Sequence, residues 1–198
     1  MRAGPGQRRV SRDDALGAEF VNLLDAVGPL LTEFARQFPG ISFDLDRSPS
    51  NTDLVGEHID VAIRLGTVKN EKLIARRIGS VDQRLFASPT CLALHGRPTQ
   101  PADLVEHECI LSRNAQRQAS WRLQGDAGVA EVVVRGRFMV NNVGLMRVLA
   151  ERGMGIAMLD PTLVREALAS GRLLQVLPEW AAPRLPKHAV MSARLVTA

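Results

Sequence analysis

The sequence predicts an α/β chain organised as lobes joined by crossover segments, and three observations carry that reading. Apolar residues recur at helical spacing from Leu16 to Phe38. Short strand-like runs then alternate with helical stretches through most of the chain, the arrangement that builds α/β layers. A β-rich section from Trp121 to Val140 adds strands of its own to that alternation. At 198 residues the chain can bury a sizeable core, as one domain or as two small lobes.

The elements follow in order. Residues 1–7 hold Gly4, Pro5 and Gly6 and read as a disordered lead-in. Arg8–Ser11 reads as a short strand, and Arg12-Asp13-Asp14 offers a cap to the helical stretch behind it. Phe20, Leu23, Leu24, Val27, Leu30, Leu31, Phe34 and Phe38 mark one helical face. Gly28-Pro29 interrupts it, so two helices or one kinked helix is expected. Ile41, Phe43 and Leu45 alternate with polar residues as a half-exposed strand.

Asn51–Gly66 is the stretch around which the rest is organised. Asn51, Thr52 and Asp53 favour a helix start, Gly56 allows a stop, and Ile59–Leu65 has the pattern of a buried strand. The strand ends on Arg64 and Gly66 with Thr67 beyond, a place where open α/β sheets present a ligand crevice. Arg64 has an equally simple use as a surface charge.

Further on, Leu73–Ile78, Leu85–Ala87 and Cys109–Leu111 read as strands, with short helices at Thr90–Leu94 and Ala102–Val105. Trp121–Leu123, Val129–Val134 and Phe138–Val140 read as three strands punctuated by Gly125, Gly128 and Gly136. Leu145–Glu151 is a helix ended by Gly153, Ile156–Leu159 a strand, and Pro161–Ser170 a helix closed by Gly171. Leu173–Leu177 is a strand; Pro178, Pro183 and Pro186 mark a connection; Ala189–Ser192 is the last strand-like run.

Composition narrows the function classes. Hydrophobic residues at 45% and charged residues at 23% describe a globular chain. No apolar run approaches the ~18–20 residues that cross a bilayer. No apolar core follows the N-terminal arginines as a secretory signal would require, so the cytoplasm is expected. Net charge is +4, yet the arginines are scattered, tyrosine is absent and aromatics make up 4%, which leaves no base-stacking platform for nucleic acid.

Cys91, His95, His107 and Cys109 are the one constellation with metal-ligand chemistry. The single residue between His107 and Cys109 would point them to opposite faces of a strand, so no metal is expected. Gly153-Met154-Gly155 lies between a helix and a strand, the reverse of a phosphate loop, and no cofactor is expected. No nucleophile elbow, P-loop lysine or zincin helix is present, and the carboxylate pairs Asp13/Asp14 and Asp44/Asp46 have simpler uses. These residues assemble no enzyme.

The segments FARQFPGISFDLDRSPSNTDLVGEHIDVAIRLG, LIARRIG, LFASPTCLALHGRPTQPADLVEHECIL, RGRFMVNNVGLMRVLAERGMGIAMLD and SGRLLQVLPEW stand in this order, with Trp121 between the third and fourth. The chain thereby resembles the effector-binding (regulatory) domain of LysR-type transcriptional regulators. The resemblance covers most of residues 30–180, and D-V-A-I-R-x-G with A-S-P-x-x-L-x-x-H-G are specific in combination. It implies two Rossmann-like α/β subdomains of the periplasmic-binding-protein type II kind, joined by two crossovers near Ala87–Pro89 and Trp180–Lys187. Residues 8–87 with 187–198 would form subdomain I, and 88–186 subdomain II.

It also implies a small effector between the subdomains, a homodimer packed through the early helix, and DNA contact only through another domain. By position, the effector site would involve Ser11, Asp13, Arg64, Leu65, Gly66 and Thr67, with Val140 and Asn141 of the crossing loop 140–142 that ends on Asn142. Helix N-termini at such a cleft favour carboxylate effectors, whereas Asp13 and Asp14 at its mouth oppose them.

The sequence departs from the family pattern in three places. The winged helix-turn-helix and linker helix of a complete regulator are not in these residues. Ser11-Arg12-Asp13-Asp14 stands where members have a neutral turn. ARLVTA stands where members continue into a further helix, and its loss would weaken subdomain I. A solute receptor on the same fold is the alternative, and the lack of a signal peptide speaks against it.

Overall fold

The computed structural model describes residues 19–43, 59–68, 73–112 and 117–192. The expected strand Arg8–Ser11, the lead-in, the helix start at Asn51–Asp53, and the site residues Ser11 and Asp13 lie outside the described residues.

The chain opens with α1 (Glu19–Gln37), one helix that runs through Pro29 without dividing in two. Ile41 and Phe43 are exposed and lie in no strand among the described residues; the rest of the strand expected there, from Asp44, lies outside them. Then follow β1 (Val61–Leu65), β2 (Leu73–Val81), β3 (Arg84–Ala87) and α2 (Pro89–His95). Ser88 caps α2 by accepting the Cys91 amide at 3.2 Å, and Pro89 occupies the first helical position, where its missing N–H has no cost. A 3₁₀ turn at Pro101–Glu106 leads to β4 (Glu108–Ser112), and β5 (Gln118–Gly125) and β6 (Gly128–Val140) form a hairpin. Next come α3 (Val143–Glu151), β7 (Ile156–Leu159), α4 (Arg165–Ala169), β8 (Leu174–Val176) and β9 (Leu185–Ser192). The helix read at Pro161–Ser170 is thus shorter, with turns over 161–164, and the last strand begins four residues earlier than read.

Two sheets result: β1-β9-β2 in one and β5-β6-β4-β7-β3-β8 in the other. The strand Arg84–Ala87, placed with subdomain I by the sequence reading, pairs with β7 and β8 in the six-stranded sheet. β9 returns to the smaller sheet and pairs antiparallel with both β1 and β2.

Period-two alternation divides the core of the larger sheet between its faces. Leu85, Ala87, Cys109, Leu111 and Ile156 join Leu104 of the 3₁₀ turn and Cys91 and Leu92 of α2 on one face. Phe86, Ile110, Ala157 and Leu159 meet Met146 and Ala150 of α3 and Ala167 of α4 on the other. Strands buried on both faces read as unbroken apolar runs, and CIL, LFA and IAML do so.

β6 is one strand of 13 residues where the sequence suggested two. Gly136 does not end it. Instead the register jumps from Glu108↔Arg135 to Ile110↔Phe138, so β6 carries one extra residue against β4. A one-residue bulge moves the following side chains to the opposite face. Val132 and Val134 accordingly lie on the α2 face, whereas Val140, of the same parity, lies on the α3 face. Gly136 permits the approach, since a Cβ there would overlap the carbonyl oxygen of Cys109.

Candidate functional site

The crossings locate the candidate site. β4, β6 and β7 are parallel, so Ser112, Val140 and Leu159 end on one edge of the six-stranded sheet. Ser112 and Val140 are register partners there. Arg84, which begins β3, is the register partner of Leu159 and belongs to the same edge. The chain leaves β2 at Val81 and enters β3 at Arg84, so this edge faces the smaller sheet.

On the smaller sheet, Leu65 pairs with Lys187 at the start of β9, and the Gly66 amide donates to the Pro186 carbonyl at 2.9 Å. Gly66 has φ 75°, a left-handed turn suited to glycine, and it directs exposed Thr67 away from the strand. Arg64 is half-buried. Arg64, Leu65, Gly66 and Thr67 therefore share the crossing edge of their sheet, and Val140 and Asn141 share that of the other. Ligands of open α/β sheets bind beyond such carboxyl ends.

Two residues of this edge, Ser112 and Asp160, were missed by sequence reasoning, whereas Asn142 belongs to the crossing loop that the sequence reading named. Asn142, next to the expected Asn141, caps α3 by accepting the Leu145 amide at 2.9 Å. Ser112 closes β4 beside Val140. Asp160, 8% exposed at the end of β7, accepts the amide and hydroxyl of Thr162 at 2.8 and 2.7 Å. Ser112 and Asp160 reach this edge only through sheet order.

The groups at the edge are hydroxyls, side-chain amides, backbone groups, the guanidinium groups of Arg64 and Arg84, and a carboxylate already accepting two hydrogen bonds. That set orients a polar ligand. The reactive side chains lie elsewhere. Burial raises the Cys91 thiol, and burial first, then Glu108 and Cys91, push Cys109 up to about 12, so both are protonated at neutral pH. Burial, then the charge of His95, lowers His107. Asp103 falls to about 2 because the Thr99 amide, the Gln100 and Thr99 side chains and the Gln100 amide donate to it. No group of three or more metal-ligating side chains occurs among the described residues. A separate open groove of about 440 Å³ lies between the 3₁₀ turn (Ala102, Val105) and β6 (Ala130, Glu131, Val132, Val133, Arg135), away from the crossings.

Comparisons with known proteins show the family and the fold. A family model, the LysR substrate binding domain, matches residues 18–196. The transcriptional regulator DmlR of Escherichia coli K12 is 33% identical over 172 residues, covering 86% of this chain and 56% of that protein. The regulatory domain of AphB from Vibrio vulnificus superposes with a TM-score of 0.72 at 31% identity, covering 86% of each chain. Full-length AphB, a virulence activator of Vibrio cholerae, gives 0.75 at 29% identity, covering 87% of this chain and 59% of that one. The chain spans about half the length of the curated relatives it matches. These relatives are transcriptional regulators, and the fold is the two-lobed, type II periplasmic-binding-protein-like α/β fold of their regulatory domains. No helix among the described residues is long and apolar enough to cross a membrane. The chain belongs to the LysR substrate-binding domain family, the effector-binding domains of LysR-type transcriptional regulators.

Proposed function

We propose that this domain senses a small molecule, of which a carboxylate metabolite is the first candidate, held between its two sheets. The observation that carries the proposal is that the end of β1 and the carboxyl ends of β4, β6 and β7 all lie on edges joined by the crossings. Arg64, Leu65, Gly66, Thr67, Val140 and Asn141 are the contacts proposed from the described residues; Ser11 and Asp13, outside those residues, are proposed from the sequence alone. The α3 N-terminus at Asn142 supports an acidic ligand through its amide dipoles.

Residues 8–87 with 187–198, and 88–186, are proposed as the two subdomains, with the first boundary drawn back to Asp82–Gln83 because β3 pairs in the larger sheet. The domain acts as a cytoplasmic homodimer rather than as an enzyme, and it controls DNA through a winged helix-turn-helix outside this sequence. Supporting the dimer, Leu30 and Phe34 of α1 and Phe38 just after it are 63, 43 and 46% exposed, an apolar face suited to a second copy.

The test is a thermal-shift screen of the chain against small carboxylates and other metabolites. A ligand at a hundred times its Kd stabilises by about 2.7 kcal/mol, which is roughly 5–10 °C at this size. Thr67→Val and Asn141→Ala should reduce that shift while leaving the unliganded melting temperature unchanged. No shift with any metabolite, together with monomeric behaviour, would dismiss the proposal.

A further inference from the structure

After β8 the chain must leave the six-stranded sheet and reach β9 in the other. The intervening segment, 177–184, does not cross freely, because its first six residues stay attached to the lobe they are leaving. Leu177 is 4% exposed within the α2-side core and takes φ 49°, an uncommon conformation outside glycine that its packing holds in place. The Trp180 amide donates back to the Leu177 carbonyl at 2.9 Å, and the indole packs on the same core.

Gln124 and Ala181 then exchange two hydrogen bonds, of 2.7 and 2.9 Å, as an antiparallel bridge on the outer edge of β5. Gly125 makes the approach feasible: a Cβ there would stand 2.5 Å from the Glu179 carbonyl oxygen and 3.3 Å from the Trp180 ring. Arg84 donates to the Pro178 carbonyl at 3.4 Å, and the Ala182 amide donates to the Gln83 carbonyl at 3.1 Å. The two crossovers are therefore tied to each other at Ala182. Beyond it, Pro183 has no N–H, Arg184 is exposed, and β9 pairing begins at Leu185.

From this geometry we infer that the Gln124–Gly125 corner clamps the second crossover to the six-stranded lobe as far as Ala182, confining the hinge to Pro183–Arg184 and Asp82–Gln83. The inference rests on the two-lobe sensing reading above and gives it a mechanical boundary. Hinges are a few residues that absorb the backbone rotation. A short hinge makes lobe closure a defined rotation; releasing the clamp would lengthen it to the whole 177–184 segment.

Residue-resolved amide hydrogen exchange on the full chain tests the clamp without any effector. In the wild type, Ala181 and Ala182 should exchange as slowly as the β5 amides, and Arg184 at least about 100-fold faster. Gln124→Pro removes the outward N–H of an edge strand and should speed Ala181 and Ala182 roughly tenfold. Trp180→Ala should do the same through lost packing, with β4 and β7 amides unchanged as the control for folding. Ala181 and Ala182 exchanging as fast as Arg184 in the wild type, or unaffected by both variants, would overturn the inference. A chain that binds no metabolite would sink the sensing reading and leave this clamp standing.

Discussion

Replacing Gly136 by alanine should loosen the joint between β4 and β6 and move the end of β6 that carries Val140 and Asn141. The added Cβ would overlap the Cys109 carbonyl oxygen and stand 2.8 Å from the carbonyl carbon. Ordinary carbon–carbon contact begins near ~3.5 Å. The obstacle is backbone in the middle of a parallel pair, so no side-chain rotation relieves it, and the strands must part. Parting two or three ladder hydrogen bonds, at about 1 kcal/mol net each, costs about 3 kcal/mol, and overpacking measurements reach the same size. At this length the melting temperature should drop by about 6–12 °C in far-UV circular dichroism. Gly28→Ala is the matched control: nothing lies within 4 Å of its Cβ position in α1, and removing a helical glycine should stabilise by about 0.5–1 kcal/mol. A Gly136→Ala melting temperature within ~2 °C of wild type would refute the bulge geometry.

Three further outcomes are expected. Phe86→Ala empties a site of 0% exposure between β3 and the helices α3 and α4, and should lower the unfolding free energy in urea by about 3–5 kcal/mol. Asp103 has its folded pKa depressed from 3.8 to about 2, so its contribution to stability is present above pH 3.8 and is lost as pH falls through about 2. Carbon-detected NMR should place its midpoint near 2, and a midpoint near 4 would contradict the hydrogen bonds from Thr99 and Gln100. Cys109, pushed up to about 12, should resist a thiol reagent at pH 8 in the folded chain and react on denaturation; rapid labelling of native Cys109 would contradict its burial.

How far the fold could be read in advance follows from where each signal resides. Ile156–Leu159 was legible because a buried strand is written in adjacent residues. β6 was misread as two strands because Gly136 has the composition of a break, whereas its use depends on Cys109 in a neighbouring strand. Pro186 read as a connection yet lies inside β9, at a place where only β2 pairs with it in register.

The sequence by itself determined the class of the chain, most of its described helices and strands and the motif order that places it among LysR effector-binding domains, since those are local patterns of side-chain type and spacing. Only the tertiary structure decided that β3 pairs in the larger sheet, that Ser112 and Val140 end side by side, and that Gln124 holds Ala181. Each of these is a pairing between strands distant in sequence. Backbone hydrogen bonds are chemically alike at every residue, so which strand meets which is chosen by the packing of the whole sheet.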